Sequence, residues 1–250
     1  MFVRIVSILI VSSIFLVACN SNPPIIKQEI IEPQVEESVE LIEEEPDLAD
    51  QDDEEDISDM QQFIEFTLTD QQISLHIDQI PILSNFLAQH SNRRAAIEDM
   101  QLTQIAEEGL DSLFILSFAC SDNGCSYLLL NTETEQSILL ADDAQISQML
   151  PSPEQNKLLI IFERYANTQA INKMVIFDLL SWTDSQLATD NPELLPVNKF
   201  RWPIYDANWL DDSTVEVEIA DIEQPSKDLL KDWYEAEEQL LRTEIITIVE

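Results

Sequence analysis

Apolar and polar residues alternate along much of the chain after residue 62, which is the period of strands that bury one face. Short polar stretches rich in Asp, Asn, Ser and Pro separate these segments and favour turns. The alternation predicts strands over Phe63–Thr69, Ile73–Ile77 and Thr243–Val249. Strands are also predicted over Leu102–Ala106 and over two strongly apolar runs, Leu113–Ala119 and Ser126–Leu130. We expect Thr243–Val249 to pair with a strand over Thr214–Ile219.

Three other segments carry the signals of short helices. Pro81 suits the first turn of a helix whose apolar side includes Leu83 and Leu87. A second helix is predicted over Arg93–Met100, and Ser226 is the predicted N-cap of a third. We therefore predict a mainly β fold with a few short helices, and an α+β fold with an antiparallel sheet is the alternative.

A loose internal repeat follows in the middle of the chain. In each copy, a strand that ends in Asn131 or Asp178 precedes another strand, and a turn then introduces a strand led by Leu158 or Val215. This order resembles the blades of TolB-type β-propellers, in which a Ser-Pro-Asp-Gly-Lys turn introduces an apolar strand. The resemblance implies antiparallel, propeller-blade-like sheets.

The resemblance covers residues 127–221, and residues 101–250 supply two clear blades and part of a third. A propeller typically needs at least four blades, so the expected form is a partial or small propeller. The chain also departs from the family pattern, because both copies lack the turn glycine. Gly109 and Gly124 are its two glycines.

The N-terminus has the pattern of an export signal. Arg4 is followed by a largely apolar run, Ile5–Leu16, which is shorter than the roughly 20 residues of a membrane-spanning helix. The run ends in Leu16-Val17-Ala18-Cys19, which resembles the lipobox of bacterial lipoprotein precursors. The resemblance implies that residues 1–18 are a signal peptide and that Cys19 is the lipidated mature N-terminus. An ordinary secretory signal and an uncleaved anchor are the alternatives.

Lipidation at Cys19 predicts where the protein resides. Two acyl chains hold a protein stably on a bilayer, so we expect a lipid-anchored protein on the extracytoplasmic side of the cell membrane. Asn20 follows the cysteine, so the Asp that retains many Gram-negative lipoproteins at the inner membrane is absent. In a Gram-negative host, the outer membrane is therefore an alternative location.

The segment after the lipobox is strongly acidic. Between Asn20 and Met60, sixteen Asp and Glu residues stand against Lys27 alone. Such charge blocks usually stay disordered, which predicts a disordered tether over residues 19–61 and a β-rich extracytoplasmic domain over residues 62–250. Ile, Val and Leu also recur within the tether. They predict either a transient amphipathic helix or a segment that docks on a partner.

The charge of the whole chain limits the classes of partner. The formal net charge is −37, and the part from Gln61 to Glu250 alone has thirty-three acidic residues against ten basic ones. An anionic surface disfavours binding to nucleic acid and direct adhesion to anionic lipid. The expected partners are the membrane, through the N-terminal lipid, and an envelope protein or a glycan.

Two cysteines flank a predicted hairpin turn. Cys120 and Cys125 enclose the segment Ser121–Gly124, so they face each other at the neck of the turn. In an oxidising compartment we expect them to form a structural disulfide. A redox pair and half of a metal site are the alternatives, but redox pairs normally have two intervening residues.

Four aromatic residues cluster within ten positions: Phe200, Trp202, Tyr205 and Trp209. Core packing is the ordinary role of such residues. The alternative is a binding face for a carbohydrate or a peptide, since aromatic rings offer large amphipathic contact surfaces.

No catalytic constellation stands out in the sequence. His76 and His90 are isolated, so no metal site is predicted. The nucleophile elbow and phosphate-binding loops both need glycines that the chain lacks, and no cofactor is expected. The favoured hypothesis is a non-enzymatic binding or scaffold module of the cell envelope. The alternative is a cell-envelope hydrolase whose carboxylates the sequence does not single out.

Overall fold

The computed structural model of the chain describes residues 23–30, 37–44, 61–166, 169–191, 194 and 197–249. The predicted signal peptide, residues 1–18, and the predicted lipidation site Cys19 lie outside these ranges. The α-helices of the described residues are α1 (Pro81–Ala88), α2 (Arg93–Glu98) and α3 (Lys227–Glu235). The strands are β1 (Ile25–Glu29), β2 (Ser38–Glu44), β3 (Gln61–Thr67), β4 (Gln71–His76), β5 (Gln101–Gln104), β6 (Leu113–Ser121), β7 (Gly124–Asn131), β8 (Gln136–Pro151), β9 (Lys157–Ala166), β10 (Gln169–Asp178), β11 (Thr183–Asp184), β12 (Gln186–Ala188), β13 (Ile204–Asp211), β14 (Thr214–Ala220) and β15 (Leu241–Val249).

These strands form four antiparallel groups. The first sheet has the order β1-β4-β3-β2, and the fourth has the order β12-β15-β14-β13. Strands β5 to β11 form one meander in which the long strand β8 is shared. The first half of β8 pairs with β7 and its second half pairs with β9. We call the β5–β7 part of this meander the second sheet and the β9–β11 part the third, each with its half of β8.

A bend in β8 separates the second sheet from the third. At the bend, Asp143 has a φ of 43°, which residues other than glycine seldom adopt. The guanidinium of Arg164 donates to the carboxylate of Asp142 at 2.6 Å and to the carbonyl of Asp143 at 2.9 Å. It also stacks on the ring of Phe200, 4.1 Å from the ring centre. Arg164 therefore holds the strand at the point where it changes sheets.

Three apolar layers join the four sheets in chain order. The first layer lies between the first sheet and one face of the second, and α1 and α2 add Leu83, Leu87 and Ile97 to it. The second layer lies between the other face of the second sheet and the third sheet, and includes Ile115, Leu129, Ile160, Phe162 and Phe177. The third layer lies between the third and fourth sheets and includes Ile161, Met174, Ile176, Val217, Ile219, Ile246 and Trp233.

This arrangement confirms the predicted mainly β fold with blade-like antiparallel sheets. Within the described residues, none of the three apolar layers joins the first sheet to the fourth. The turns that introduce the third strand of each predicted repeat, led by Leu158 or Val215, lie side by side. The backbone N–H of Glu154 in one turn donates to the carboxylate of Asp212 in the other at 2.8 Å. Gln155 has a φ of 57°. It thus adopts a left-handed conformation where the Ser-Pro-Asp-Gly-Lys turn has its glycine.

The prediction of a disordered tether is wrong for two parts of it. Strand β1 pairs with β4 and strand β2 pairs with β3, so both belong to the first sheet. Ile25 is only 2% exposed and lies in the first apolar layer, against which Val39 and Leu41 also pack. The burial of these apolar side chains offsets the chain entropy that is lost on folding. The acidic composition had predicted too little apolar burial for this. The rest of residues 19–61 lies outside the described ranges, apart from the residues that flank these strands.

The helix signals in the sequence are confirmed. Pro81 occupies the start of α1. Asn92 caps α2, because its side chain accepts a hydrogen bond from the Ala95 amide at 3.2 Å. Ser226 caps α3 by accepting one from the Leu229 amide at 3.4 Å. Strand β15 pairs with β14 along its length, as the alternation predicts.

Candidate functional site

The candidate site richest in polar and aromatic groups is a groove of about 420 Å³ between the third and fourth sheets. It lies where the third apolar layer ends and polar side chains begin. We call it the tyrosine groove. Its main polar and aromatic groups are Gln148, Glu163, Asn172, Tyr205, Asp206 and Tyr234.

Strand register explains how two of these residues reach the groove. Glu163 on β9 stands directly opposite Asn172 on β10, so both side chains lie on the same face of the third sheet. Two residues earlier on β9 and two later on β10, Ile161 and Met174 lie on this face too and are buried in the third layer. The groove is therefore the continuation of a core layer in which polar residues replace apolar ones.

Asn172 forms the floor of the groove. The residue is 2% exposed, and its Oδ1 accepts a hydrogen bond from the Ile204 amide at 2.9 Å. Its backbone N–H donates to the carbonyl of Trp202 at 2.8 Å, which ties β10 to the segment before β13. The side-chain Nδ2 is buried and has no hydrogen-bond partner among the described residues. A buried donor in this state is costly, since most such groups are paired in folded proteins.

Gln148 fastens one wall of the groove to the other. Its Nε2 donates to the carboxylate of Asp206 at 2.9 Å and to the carbonyl of Ala207 at 3.0 Å, and its Oε1 accepts from the Ala207 amide at 3.1 Å. The other carboxylate oxygen of Asp206 accepts from the side chain of Asn208 at 2.7 Å. These bonds orient the Asp206 carboxylate and fix β13 against β8.

Two tyrosines supply the aromatic surface of the groove. Tyr205 is 49% exposed, and its hydroxyl donates to Gln239 at 3.1 Å. The hydroxyl of Tyr234 donates to the carbonyl of Ala170. Trp233 lies between them, with ring centres 5.6 Å from Tyr205 and 5.0 Å from Tyr234. Trp233 itself is buried in the third apolar layer, so it supports the two tyrosine rings from behind, and only those two line the groove.

The electrostatic environment of the groove is negative. Burial and the Glu163 carboxylate raise the pKa of Tyr205 above its ordinary value. Burial first, and then Tyr205 and Glu163, raise the pKa of Tyr234 further. Both phenols are therefore neutral hydrogen-bonding groups over the whole physiological pH range.

The four aromatics do not form the binding face that was the alternative interpretation of their clustering. Trp202 is 1% exposed in the third layer, which agrees with core packing, the ordinary role expected for these residues. Trp209 packs against the same layer and donates to the carbonyl of Leu150 at 3.2 Å, while Phe200 packs against the second layer. Of the four, Tyr205 is the one that is exposed and lines the tyrosine groove. Tyr205 and Trp209 lie on β13, whereas Phe200 and Trp202 precede it, so no single strand face carries all four rings.

A second groove, of about 680 Å³, lies beside the predicted cysteine pair. The sulfur atoms of Cys120 and Cys125 are at disulfide distance, 2.10 Å, and both residues line this groove. Gly124, beside the pair, has a φ of 149° and packs so closely on β8 that a Cβ there would meet the carbonyl oxygen of Ala144 at 2.2 Å. Tyr127 also lines the groove, and burial raises the pKa of its phenol.

Sequence reasoning missed Glu163, Asn172 and Gln148. One signal was present for Asn172, which interrupts the apolar face of β10 that Met174 and Ile176 continue. A polar residue at such a position is either paired in the core or exposed to a ligand. Glu163 and Gln148 carried no comparable signal among the many acidic and amide residues of the chain.

Two wider properties of the described part of the chain bear on the site. There, no group of three or more His, Cys, Asp and Glu side chains is arranged to hold a metal ion. None of the helices in the described ranges has the length and apolar content that crossing a bilayer requires.

Comparison with models of known protein families, with curated proteins and with solved structures finds no match to this chain in any of the three. No residue role is therefore transferred from a relative. The candidate site depends on its own geometry and chemistry.

Proposed function

We propose that the protein is a lipid-anchored, extracytoplasmic binding module of the cell envelope without catalytic activity. The observation that carries this proposal is the cysteine at the end of the apolar leader, Leu16-Val17-Ala18-Cys19. The pairing of Cys120 with Cys125 supports the same compartment, because disulfides persist mainly where the surroundings are oxidising.

The tyrosine groove is the proposed binding site. Most of its polar groups are already oriented by hydrogen bonds to the fold, as Gln148, Asp206 and both tyrosine hydroxyls illustrate. Groups held in place in this way lose little freedom when a ligand binds, which favours recognition. The half-exposed ring of Tyr205 adds amphipathic contact area at the rim.

The position of β1 sets how far the module reaches from the membrane. Cys19 precedes Pro24 by five residues, and the carbonyl of Pro24 already accepts a hydrogen bond from the His76 amide at 3.0 Å. Five residues span at most about 18 Å. The first sheet is therefore held near the bilayer surface, instead of at the end of a long acidic spacer.

Metabolic labelling with radioactive palmitate tests the anchor. We expect label on the full-length chain and none on a Cys19→Ala variant. The matched control is a Cys120→Ala/Cys125→Ala variant, which removes the other two thiols and should keep the label. Persistent labelling of Cys19→Ala would contradict the proposal, as would an unlabelled full-length chain with its leader intact in a cytosolic fraction.

A further inference from the structure

The tyrosine groove contains two carboxylates without a basic partner in the site. Among the described residues that line the groove there is no Lys or Arg, while Glu163 and Asp206 both line it. The nearest basic residues in sequence, Arg164 and Lys173, are neighbours of Glu163 and Asn172 and so project from the opposite face of the third sheet.

Both of these basic residues are engaged on that opposite face. Arg164 donates to Asp142 and Asp143 at the bend of β8. Lys173 donates to the carbonyl of Leu140 at 2.7 Å. Neither is available to neutralise the groove, which leaves it with an unmatched negative charge.

The groove also holds a donor that lacks an acceptor. The Nδ2 of Asn172 is buried at the floor, while its Oδ1 is fixed by the Ile204 amide at 2.9 Å. This bond fixes the orientation of the amide, which leaves the Nδ2 as the side-chain group of Asn172 that still lacks a hydrogen-bond partner among the described residues. A ligand that suits the groove therefore combines a positive charge with a hydrogen-bond acceptor close to it.

We propose that the tyrosine groove binds a basic side chain, Arg or Lys, of an extended peptide segment in another envelope protein. The cation contacts the carboxylates of Glu163 and Asp206 and the face of Tyr205, since cations are attracted to carboxylates and to aromatic faces. A carbonyl of the same peptide accepts the Nδ2–H of Asn172. This inference deepens the proposed function, because it names the ligand of the proposed site.

A peptide fits these groups better than a sugar. A sugar can accept the Asn172 amide N–H with a hydroxyl and stack its ring on Tyr205, but it brings no positive charge to the two carboxylates. A peptide group next to a basic side chain supplies both the acceptor and the cation in one short segment.

The test is a titration of the full chain, in detergent, with the peptide acetyl-Gly-Gly-Arg-Gly-Gly-amide. The comparison peptide carries citrulline, which has the shape of arginine without its charge. Binding is followed by calorimetry and by the side-chain amide resonances of Asn172 in a ¹H–¹⁵N spectrum. We expect the arginine peptide to shift those resonances and to bind about tenfold more tightly than the citrulline peptide.

Variants locate the contact. Glu163→Gln should weaken binding of the arginine peptide about five- to tenfold, and Tyr205→Leu should weaken it by a similar factor. Glu133→Gln is the matched control, since Glu133 is exposed in the turn between β7 and β8, far along the chain from the groove. It should leave the affinity unchanged. Raising the salt concentration should weaken binding of the arginine peptide more than that of the citrulline peptide.

Three results would overturn the inference. They are equal affinity for the two peptides, an effect of Glu133→Gln as large as that of Glu163→Gln, and Asn172 resonances that respond to a disaccharide of N-acetylglucosamine but not to the arginine peptide. The last result would make the groove a glycan site. Because binding in detergent does not depend on the acyl group at Cys19, failure of the palmitate experiment leaves this test intact.

Discussion

Replacing Ile25 with Ala tests whether the acidic N-terminal segment is part of the folded structure. Ile25 is 2% exposed on β1, opposite Leu75 of β4, and lies in the first apolar layer. Truncating a fully buried Ile to Ala usually costs about 2–5 kcal/mol. Because β1 is an edge strand that can shift to fill part of the space, we expect about 2–3 kcal/mol.

Two measurements report the loss of stability in Ile25→Ala, one for the whole chain and one for β1 alone. Urea unfolding followed by far-UV circular dichroism gives the global free energy of unfolding, which should fall with an unchanged slope. Hydrogen exchange of the His76 amide reports on β1 itself, since this amide donates to the carbonyl of Pro24 at 3.0 Å. If β1 detaches before the rest of the chain unfolds, exchange at His76 accelerates more than the global stability falls.

Glu29→Ala is the matched control, because Glu29 is exposed on the same strand. It should change the free energy of unfolding by less than about 0.5 kcal/mol. If Ile25→Ala were as harmless as Glu29→Ala, and exchange at His76 were the same in both variants, β1 would not be part of the first sheet. The short distance between the lipid anchor and the domain would then no longer follow.

The remaining predictions concern the second and third sheets. Gly124→Ala should lower the free energy of unfolding by about 3 kcal/mol or more, because the new Cβ meets backbone at 2.2 Å and the φ of 149° strains any L side chain. Replacing Cys120 and Cys125 together by Ser should cost about 2 kcal/mol, as expected for the loss of a bridge over a short loop, with reducing agent then having no further effect. Arg164→Lys should cost about 1–2 kcal/mol, because lysine cannot hold the backbone carbonyls of Asp142 and Asp143, the Asp142 carboxylate and the Phe200 ring face together. Asp142→Asn should cost less than about 1 kcal/mol, since the Asp142 side chain is 71% exposed.

Controls separate the causes in these variants. Gly109 has a φ of 87°, but a Cβ there meets only the side-chain oxygen of Gln155, at 2.7 Å. Gly109→Ala should therefore show mainly the conformational cost, about 1–2 kcal/mol. An equal loss for both glycines would mean that the contact with β8 contributes nothing. An Arg164→Lys variant as stable as the original chain would show that a point charge is enough to hold the bend.

Local patterns predicted most of the strands and helices because their signals lie within a few residues. The alternation over β3, β4 and β15 marks the buried face of each strand, and the apolar runs of β6 and β7 mark strands that are buried on both faces, without any knowledge of what covers them. Ser226 and Pro81 marked helix starts in the same way, through bonds and torsions inside one turn. The pairing of Cys120 with Cys125 could also be predicted locally, since the two residues flank one hairpin turn, which brings its two strands together.

The prediction of a disordered tether was wrong for β1 and β2 because it relied on the average composition of the segment. An average composition does not show what each residue packs against. Glu29 on β1 and Glu40 and Glu43 on β2 are exposed, while Ile25 on β1 is buried. Whether a charged segment folds depends on an apolar surface for its few apolar residues. Here that surface is supplied by β3 and β4, which follow later in the chain.

The sequence by itself determined the strongly negative charge and predicted most of the elements and the pairing of Cys120 with Cys125, while the signal peptide and the lipidation of Cys19 stay predictions. Only the tertiary structure decided which residues meet in the tyrosine groove, because Gln148, Glu163, Asn172 and Tyr205 lie on four different strands. It also decided that Trp202 is core and Tyr205 is surface, although they are three positions apart. The physical reason is that a strand's period assigns each residue to a face, but the packing of sheets decides whether that face meets core, ligand or water.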